Sequence, residues 1–502
     1  MIGACATLAV VSDVQPPSPH AADRPAAALR AHDLVRITGG HLLAESARPV
    51  RGAAVDSRLV TPGALFVALP GERTDGHLYL DSAVAAGASA LLVSRPPADP
   101  AALGDVSVVR VADGVAALQA IAAEWRRRFD LLVVGVTGSI AKTSTKEAVA
   151  TVLAARFRTL RNAGNQNNEI GLPLTVLALG PEHEAAVLEM GMYVGGEIRD
   201  LAAIARPRIG IVTSVLPVHL SRIGSLDAIE RAKGELVEAL PADGWAILNA
   251  DDPRVRRMAS RTAAQAITYG FADDADVGAL DVVSRGAEGM AFVLNHAGRQ
   301  QPIRIPTLGR LAVHNALAGA AAGIVAGLDL AVIAAALEGG WSAPHRGELH
   351  RAGGVTLVDD SYNASPTSVR AALELLAGLP GRRVGVLGTM LELGDGHVPG
   401  HRDAGAAAAE VVELLIVVGD DARPIAAGAR DAGLAADRIL EVPDRAAALD
   451  ALRPRLREGD VVLVKASRGI ALDLLVDDLR RELGDGGQTV ASAALGQGAR
   501  VR

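Results

Sequence analysis

Short aliphatic runs alternating with Ala/Leu-rich helical stretches predict an α/β protein of several domains with largely parallel sheets. Length is a second sign: 502 residues exceed what one hydrophobic core organises, so about three domains are expected. A third is the run Leu131–Val136, which ends in a Gly/Thr/Ser turn and passes into a helix opened by Lys142 and Thr143.

Taken in order, residues 1–30, with Gln15-Pro-Pro-Ser-Pro19 and an Ala/Arg stretch, read as a flexible leader. Buried strands are expected at Ala90–Ser94, Leu131–Val136, Ala186–Glu189, Ile209–Ser214, Ala246–Asn249, Thr356–Asp359, Val384–Leu387, Leu415–Gly419 and Val461–Lys465. Each has helical sequence nearby, such as Gly114–Arg127 or Val369–Ala377. Breaks near 128–130 and at Trp341-Ser-Ala-Pro-His-Arg346 divide the chain into domains at 31–129, 130–344 and 345–484. Residues 485–502, rich in Gly, Ser, Ala and Gln, read as a loose tail. No internal repeat of fixed period occurs.

Composition excludes several classes. Half the residues are hydrophobic and 21% charged, which is globular and not disordered. A net charge of -7 argues against a nucleic-acid surface. The single cysteine, Cys5, rules out an internal disulfide framework and fits a reducing cytosol. Met1–Val11 is apolar, but no basic segment precedes it and it is too short for a signal core with its cleavage site. No apolar run of about 18 residues occurs, so no membrane insertion is expected. The chain is read as cytoplasmic and, with no feature suggesting otherwise, monomeric.

The segment Val133-Val-Gly-Val-Thr-Gly-Ser-Ile-Ala-Lys-Thr-Ser-Thr-Lys146 has the makings of a polyphosphate cradle. Turn N–H groups and the positive helix end face an anion, Lys142 neutralises charge, and the Thr143 hydroxyl suits Mg²⁺. Against the Walker A pattern, Val136 and Ala141 stand where glycines are usual. The bland alternative is a strand–helix turn capped by Thr and Ser.

Other polar turns follow. Arg161-Asn-Ala-Gly-Asn-Gln-Asn-Asn168 is dense in amides, and alone it reads equally as a surface loop of Asx turns. Glu189 closes a strand at the edge where α/β sheets place ligands. Lys233 lies on an amphipathic helix, where a lysine is ordinarily solvated, and His219 precedes it in a loop. Asn315 stands at the start of an Ala-rich helix, where a cap is the simple reading. Arg346-Gly-Glu348, Asp359-Asp-Ser-Tyr-Asn-Ala-Ser-Pro366, Met390-Leu-Glu-Leu-Gly394, His401 and Gly459–Arg468 sit at or beside later strand ends.

In this order, these segments resemble the Mur ligase family from about residue 33 to 483. Val55-Asp-Ser-Arg58, Pro62–Gly71, Thr74-Asp-Gly-His77 and Ala86-Gly-Ala88 carry the N-terminal part of the resemblance. The Asn-rich loop, Asp359–Pro366 and Met390–Gly394 favour the branch that joins D-alanyl-D-alanine to UDP-N-acetylmuramoyl-tripeptide.

The resemblance implies a UDP-substrate-binding α/β domain, a central P-loop-type ATPase and a C-terminal Rossmann-like α/β domain that closes over the nucleotide. It implies that the tripeptide carboxylate attacks ATP to give an acyl phosphate, which the amine of D-alanyl-D-alanine then opens. By the same resemblance, Thr137, Gly138, Ser139, Ala141, Lys142, Thr143, Ser144, Asn315, Arg346 and Asp360 hold ATP. Ser57, Arg58, Asp75, His77, Asn165, Asn167 and Asn168 hold the UDP substrate. Lys142, Glu189, His219 and Lys233 are the implied catalytic set. Thr143, Glu189, His219 and Lys233, the last as a CO₂-derived carbamate, place two Mg²⁺. Hard oxygen donors suit that ion, and phosphoryl transfer depends on charge neutralisation and positioning.

Departures from the family pattern are Ala141, Leu311 for a usual His, Thr389 for Asp and Ala466 for Gly. Two other readings stand at this level. One is a related ligase with another amine acceptor; the other is a non-catalytic nucleotide-binding relative, motivated by these substitutions.

Overall fold

The computed structural model describes residues 28–71, 74–217 and 223–489. Three sheets follow one another along the chain. The first holds His41–Ala44 (β1), Ala53–Ala54 (β2), Leu65–Val67 (β3), Ala90–Val93 (β4) and Ser107–Arg110 (β5) in the order β1-β5-β4-β3-β2. Strands β2 to β5 are parallel, and β1 closes the edge antiparallel to β5. The leader read over residues 1–30 includes Leu29, which is instead buried and exchanges two backbone hydrogen bonds with Val50.

The central sheet has nine strands: Leu132–Thr137 (β6), Thr159–Arg161 (β7), Ala185–Glu189 (β8), Ile209–Val212 (β9), Trp245–Asn249 (β10), Gln265–Gly270 (β11), Val277–Ser284 (β12), Met290–His296 (β13) and Arg299–Ile305 (β14). Their order is β14-β13-β12-β11-β10-β9-β6-β8-β7, parallel from β6 to β12 and antiparallel in the final ribbon. Continuous aliphatic runs such as Val133-Val134 and Ala185–Leu188 are buried because helices cover both faces. Helices Lys142–Ala154 and Arg310–Val325 pack closely: a Cβ at Gly323 would meet Val152 Cγ1 at 2.7 Å.

The junction between the first two sheets is filled by apolar side chains. Helix Gly114–Arg126 joins one hydrophobic cluster running from Leu34 and Val109 to Leu172, Ile198 and Leu236. Trp125 Nε1 donates to Leu179 O at 3.1 Å, and Arg126 Nε donates to Ala205 O at 2.8 Å.

The third sheet contains Glu348–Ala352 (β15), Val355–Asp359 (β16), Arg383–Gly388 (β17), Leu414–Val418 (β18), Ile439–Val442 (β19), Val461–Lys465 (β20) and Asp485–Thr489 (β21), ordered β19-β18-β17-β20-β16-β15-β21. Strands β16 to β20 are parallel; β15 and β21 are antiparallel additions. Asp485–Thr489, read from sequence as tail, thus pair with β15. Among the described residues, no helix is long and apolar enough to cross a membrane.

Candidate active site

Strand β6 delivers its turn to the carboxyl edge of the central sheet, where β8 and β9 also end. Gly138 has φ 152°, and a Cβ there would lie 1.8 Å from Thr213 Oγ1, so only glycine lets the turn pass. Ala141 then caps the helix Lys142–Ala154 at φ 65° and ψ 0°, a left-handed conformation in which the usual glycine is unstrained. Lys142 Nζ donates to Gly138 O at 2.8 Å and Ser139 O at 3.2 Å. Burial holds its pKa below the ordinary lysine value, with Glu189 opposing.

Thr143 Oγ1 donates to Glu189 Oε2 at 2.8 Å, and Asn167 Nδ2 donates to Glu189 Oε1 at 2.7 Å. The Asn-rich loop therefore lies against the carboxylate at the end of β8. Asn165, Asn167 and Asn168 all face the same cleft of about 690 Å³ as the phosphate turn. Asn168 is also structural, its Oδ1 accepting the Gly171 N–H at 2.9 Å at the start of helix Gly171–Leu177.

Lys233 lines this cleft too. The solvated lysine that its helix suggested is in fact 2% exposed, and burial, then the charge of Lys142, pushes its pKa well below the ordinary value. Asn315 is not a cap: Gly309 is, and Asn315 lies inside helix Arg310–Val325, accepting from Thr145 Oγ1 at 2.9 Å. His219 falls outside the described residues.

The third domain closes the far wall with Arg346, Asp360, Tyr362, Lys465 and Arg468. Arg346 Cζ stands 3.9 Å from the centroid of the Tyr362 ring, and Arg468 Cζ 5.0 Å from it. Asp360 pairs with the buried Lys465 ammonium; burial pushes the carboxyl pKa up against that partner. Sequence reasoning assigned no role to Tyr362, Lys465 or Arg468. The signal was present, since Tyr362 and Arg468 sit in the polar turns after β16 and β20 and Lys465 closes β20.

The substituted positions separate. Ala141 and Leu311 line the cleft. Thr389 and Ala466 are buried beside it at the ends of β17 and β20, where Gly388 leaves space: a Cβ there would meet Ala466 Cβ at 2.8 Å. His314 is engaged elsewhere, with Nε2 3.0 Å from Asp251 Oδ2.

The four N-terminal residues do not line the cleft. Arg58 is exposed and paired with Asp56, and Ser57 opens the same short turn. His77 Nδ1 donates to Asp75 at 2.7 Å while its Nε2 accepts the Ser94 N–H at 3.0 Å, which ties the loop after β3 to the end of β4.

These donors fit a nucleotide and a hard cation. A hydroxyl and a carboxylate converge at 2.8 Å beside a lysine and a helix N-terminus, with no soft ligand among the groups that meet there.

Comparison with known proteins agrees with this geometry. The Mur ligase family catalytic domain matches residues 49–126, the Mur ligase middle domain 136–323 and the Mur ligase glutamate ligase domain 345–468. The UDP-N-acetylmuramoyl-tripeptide–D-alanyl-D-alanine ligase of Bacillus subtilis is 37% identical over 434 residues, 86% of this chain and 93% of its own length. A crystal structure of MurF from Acinetobacter baumannii superposes with a TM-score of 0.81 at 30% identity, over 91% of this chain and all of that one. The Thermotoga maritima MurF ligase in complex with ADP gives 0.75 at 28% identity, over 86% and 98%. The phosphate turn, the carboxylate it meets and the three successive domains thus have one explanation: this chain belongs to the Mur ligase family.

Proposed function

We propose that the protein is an ATP-dependent ligase that joins D-alanyl-D-alanine to UDP-N-acetylmuramoyl-tripeptide in peptidoglycan precursor synthesis. One observation carries this reading. A single cleft gathers the phosphate turn, the Thr143–Glu189 pair, Lys233, the Asn-rich loop and the third domain's Arg346 and Asp360. Relatives of that specificity resemble the chain over most of its length.

The chemistry follows from what these groups can do. Turn N–H groups and Lys142 hold the ATP phosphates, and Arg346 adds charge from the opposite wall. Thr143 and Glu189 would hold Mg²⁺, which supplies charge neutralisation at the transferring phosphoryl group. The terminal carboxylate of the tripeptide, positioned by Asn165, Asn167 and Asn168, attacks the γ-phosphorus, and ADP leaves. The free amine of D-alanyl-D-alanine then attacks the acyl carbon, an amide forms, and phosphate departs with one carboxylate oxygen. Closure by the third domain keeps water from the acyl phosphate.

A buried amine with a depressed pKa stays neutral and nucleophilic, which supports carbamylation of Lys233 and, with His219, a second cation. Ser57, Arg58, Asp75 and His77 belong in this account to the UDP-binding face of the first domain. Domains at 31–129, 130–344 and 345–484 fit the three sheets, except that β21 carries the third on to Thr489. A cytoplasmic monomer belongs to this reading.

The test is phosphate release by the purified protein with Mg-ATP and UDP-N-acetylmuramoyl-tripeptide. Release that requires D-alanyl-D-alanine is expected. Release triggered instead by a single amino acid, or nucleotide binding without turnover under any acceptor, contradicts the proposal.

A further inference from the structure

The helix carrying Lys142 and Thr143 also carries Lys146, one turn further on, and no step above uses it. Its side chain is wholly buried. Nζ donates to Asn162 O at 2.6 Å and to Gly164 O at 3.4 Å, and pairs with Glu147 Oε1 at 2.9 Å. Glu147 in turn holds Arg161 Nε at 2.6 Å through its other oxygen. Removing an ammonium from water is costly, and apolar replacements of buried ion pairs often leave stability unchanged or raised. Stability alone therefore does not account for a lysine here. What the ammonium grips is the start of the Asn-rich loop.

From that grip the hydrogen bonds run in a ring. Asn162 is buried; its Nδ2 donates to Gln166 O at 2.7 Å and Glu189 O at 3.3 Å, and its Oδ1 accepts the Glu189 N–H at 3.0 Å. Further along the loop, Asn167 takes one oxygen of Glu189, and its own carbonyl accepts the Gly191 N–H at 2.7 Å. The other Glu189 oxygen accepts from Thr143, on the same rigid helix as Lys146. The carboxylate is thus held from two sides, by the helix and by the loop, and Lys146 joins those two sides.

We infer that Lys146 is a positioning residue that sets the Glu189 carboxylate through the Asn-rich loop, and so couples occupancy of that loop by the peptide substrate to cation binding at Thr143 and Glu189. The inference rests on the ligase reading of the cleft. A substrate that orders the loop fixes Asn167, and with it Glu189, in the pose that accepts the cation. By linkage, the cation then tightens the substrate by the same factor.

The experiment is calorimetry of ADP binding to the full chain across Mg²⁺ concentrations, with and without UDP-N-acetylmuramoyl-tripeptide. In the unmodified protein the substrate lowers the half-saturating Mg²⁺ by about fivefold or more, the lower end of ordinary coupling. Lys146→Met and Asn167→Ala each abolish that shift and raise half-saturation about tenfold. The double variant is no worse than the poorer single, because both break one ring. Additive effects, or a substrate-induced shift retained in Lys146→Met, overturn the inference. If Lys146→Met does not fold, Asn162→Ala, which cuts the same ring and leaves the ammonium on backbone carbonyls, replaces it in the cycle with the same two outcomes. A protein that binds Mg-ADP and shows the coupling but ligates nothing overturns the ligase reading and leaves the ring intact.

Discussion

Replacing Ala141 with glycine tests the phosphate turn at its least usual point. Ala141 holds φ 65° and ψ 0° immediately before Lys142. For a residue with a Cβ, that left-handed conformation costs about 1–2 kcal/mol, and glycine adopts it freely. Glycine also enlarges the unfolded ensemble, which removes about 0.4–1 kcal/mol of the gain. Ala141→Gly should therefore stabilise the central domain by up to about 1.6 kcal/mol, the difference of those two terms. The effect on nucleotide depends on the free turn. If it relaxes out of the left-handed region without phosphate, glycine lowers the apparent KM for ATP by up to about tenfold, since 1.4 kcal/mol is a factor of ten. If the turn keeps its shape, KM stays put and only stability rises. Ala141→Val moves both quantities the other way, because a β-branched side chain is an outlier at positive φ. Initial-rate phosphate release gives KM, and the shift of the urea midpoint gives the direction of the stability change. A clear rise in KM for Ala141→Gly, or an unimpaired Ala141→Val, refutes the reasoning.

Other substitutions probe the remaining walls. Gly138→Ala places a Cβ against Thr213 and should reduce turnover at least about 100-fold, the equivalent of roughly 2.7 kcal/mol of displaced turn, as read by phosphate release. Tyr362→Leu removes the ring face beneath Arg346 and should raise the KM for ATP about threefold to tenfold, matching a cation–π contact of about 0.5–1.5 kcal/mol. Asp360→Asn leaves the buried Lys465 ammonium without its charge partner and should cost about 3 kcal/mol in the third domain, seen as an earlier unfolding transition. For Lys233, the folded pKa lies below the unfolded one. At high pH the amine is neutral in both states. As pH falls through the ordinary lysine range, the unfolded chain binds a proton that the folded one resists, so the native residue becomes destabilising. In CO₂-free buffer, Lys233→Met should therefore raise the melting temperature more at about pH 7.5 than at about pH 10.5, while with CO₂ supplied ligation falls at least about 100-fold relative to the unmodified protein. An equal rise at both pH values removes the argument.

The parallel strands were legible because burial on both faces writes them as unbroken aliphatic runs; all nine expected segments overlap strands. The ribbon β12 to β14 was not, because its outer face is wet and interrupts the apolar signal with Asp281, Gln301 and Arg304. Short strands such as Ala53–Ala54 carry too few residues to show a period. In the site, Lys142 and Thr143 stood out because one strand–turn–helix unit places them locally, and Glu189 because it closes a buried strand. Lys233 and Asn315 read in sequence as a solvated lysine and a helix cap, and Lys146 drew no reading of its own. Their burial comes from what packs over them, the Asn-rich loop on Lys146 and the neighbouring helix Lys142–Ala154 beside Asn315. Tyr362 and Lys465 gain meaning only when two β-strand turns of the third domain meet the cleft.

The central claim is that the tripeptide carboxylate is activated by phosphoryl transfer in this cleft. Tripeptide substrate labelled with ¹⁸O in its terminal carboxylate, supplied with Mg-ATP and D-alanyl-D-alanine, tests it most directly by mass analysis of both products. The account predicts one ¹⁸O in the released phosphate and one in the new amide carbonyl. Amide product accompanied by unlabelled phosphate would contradict it.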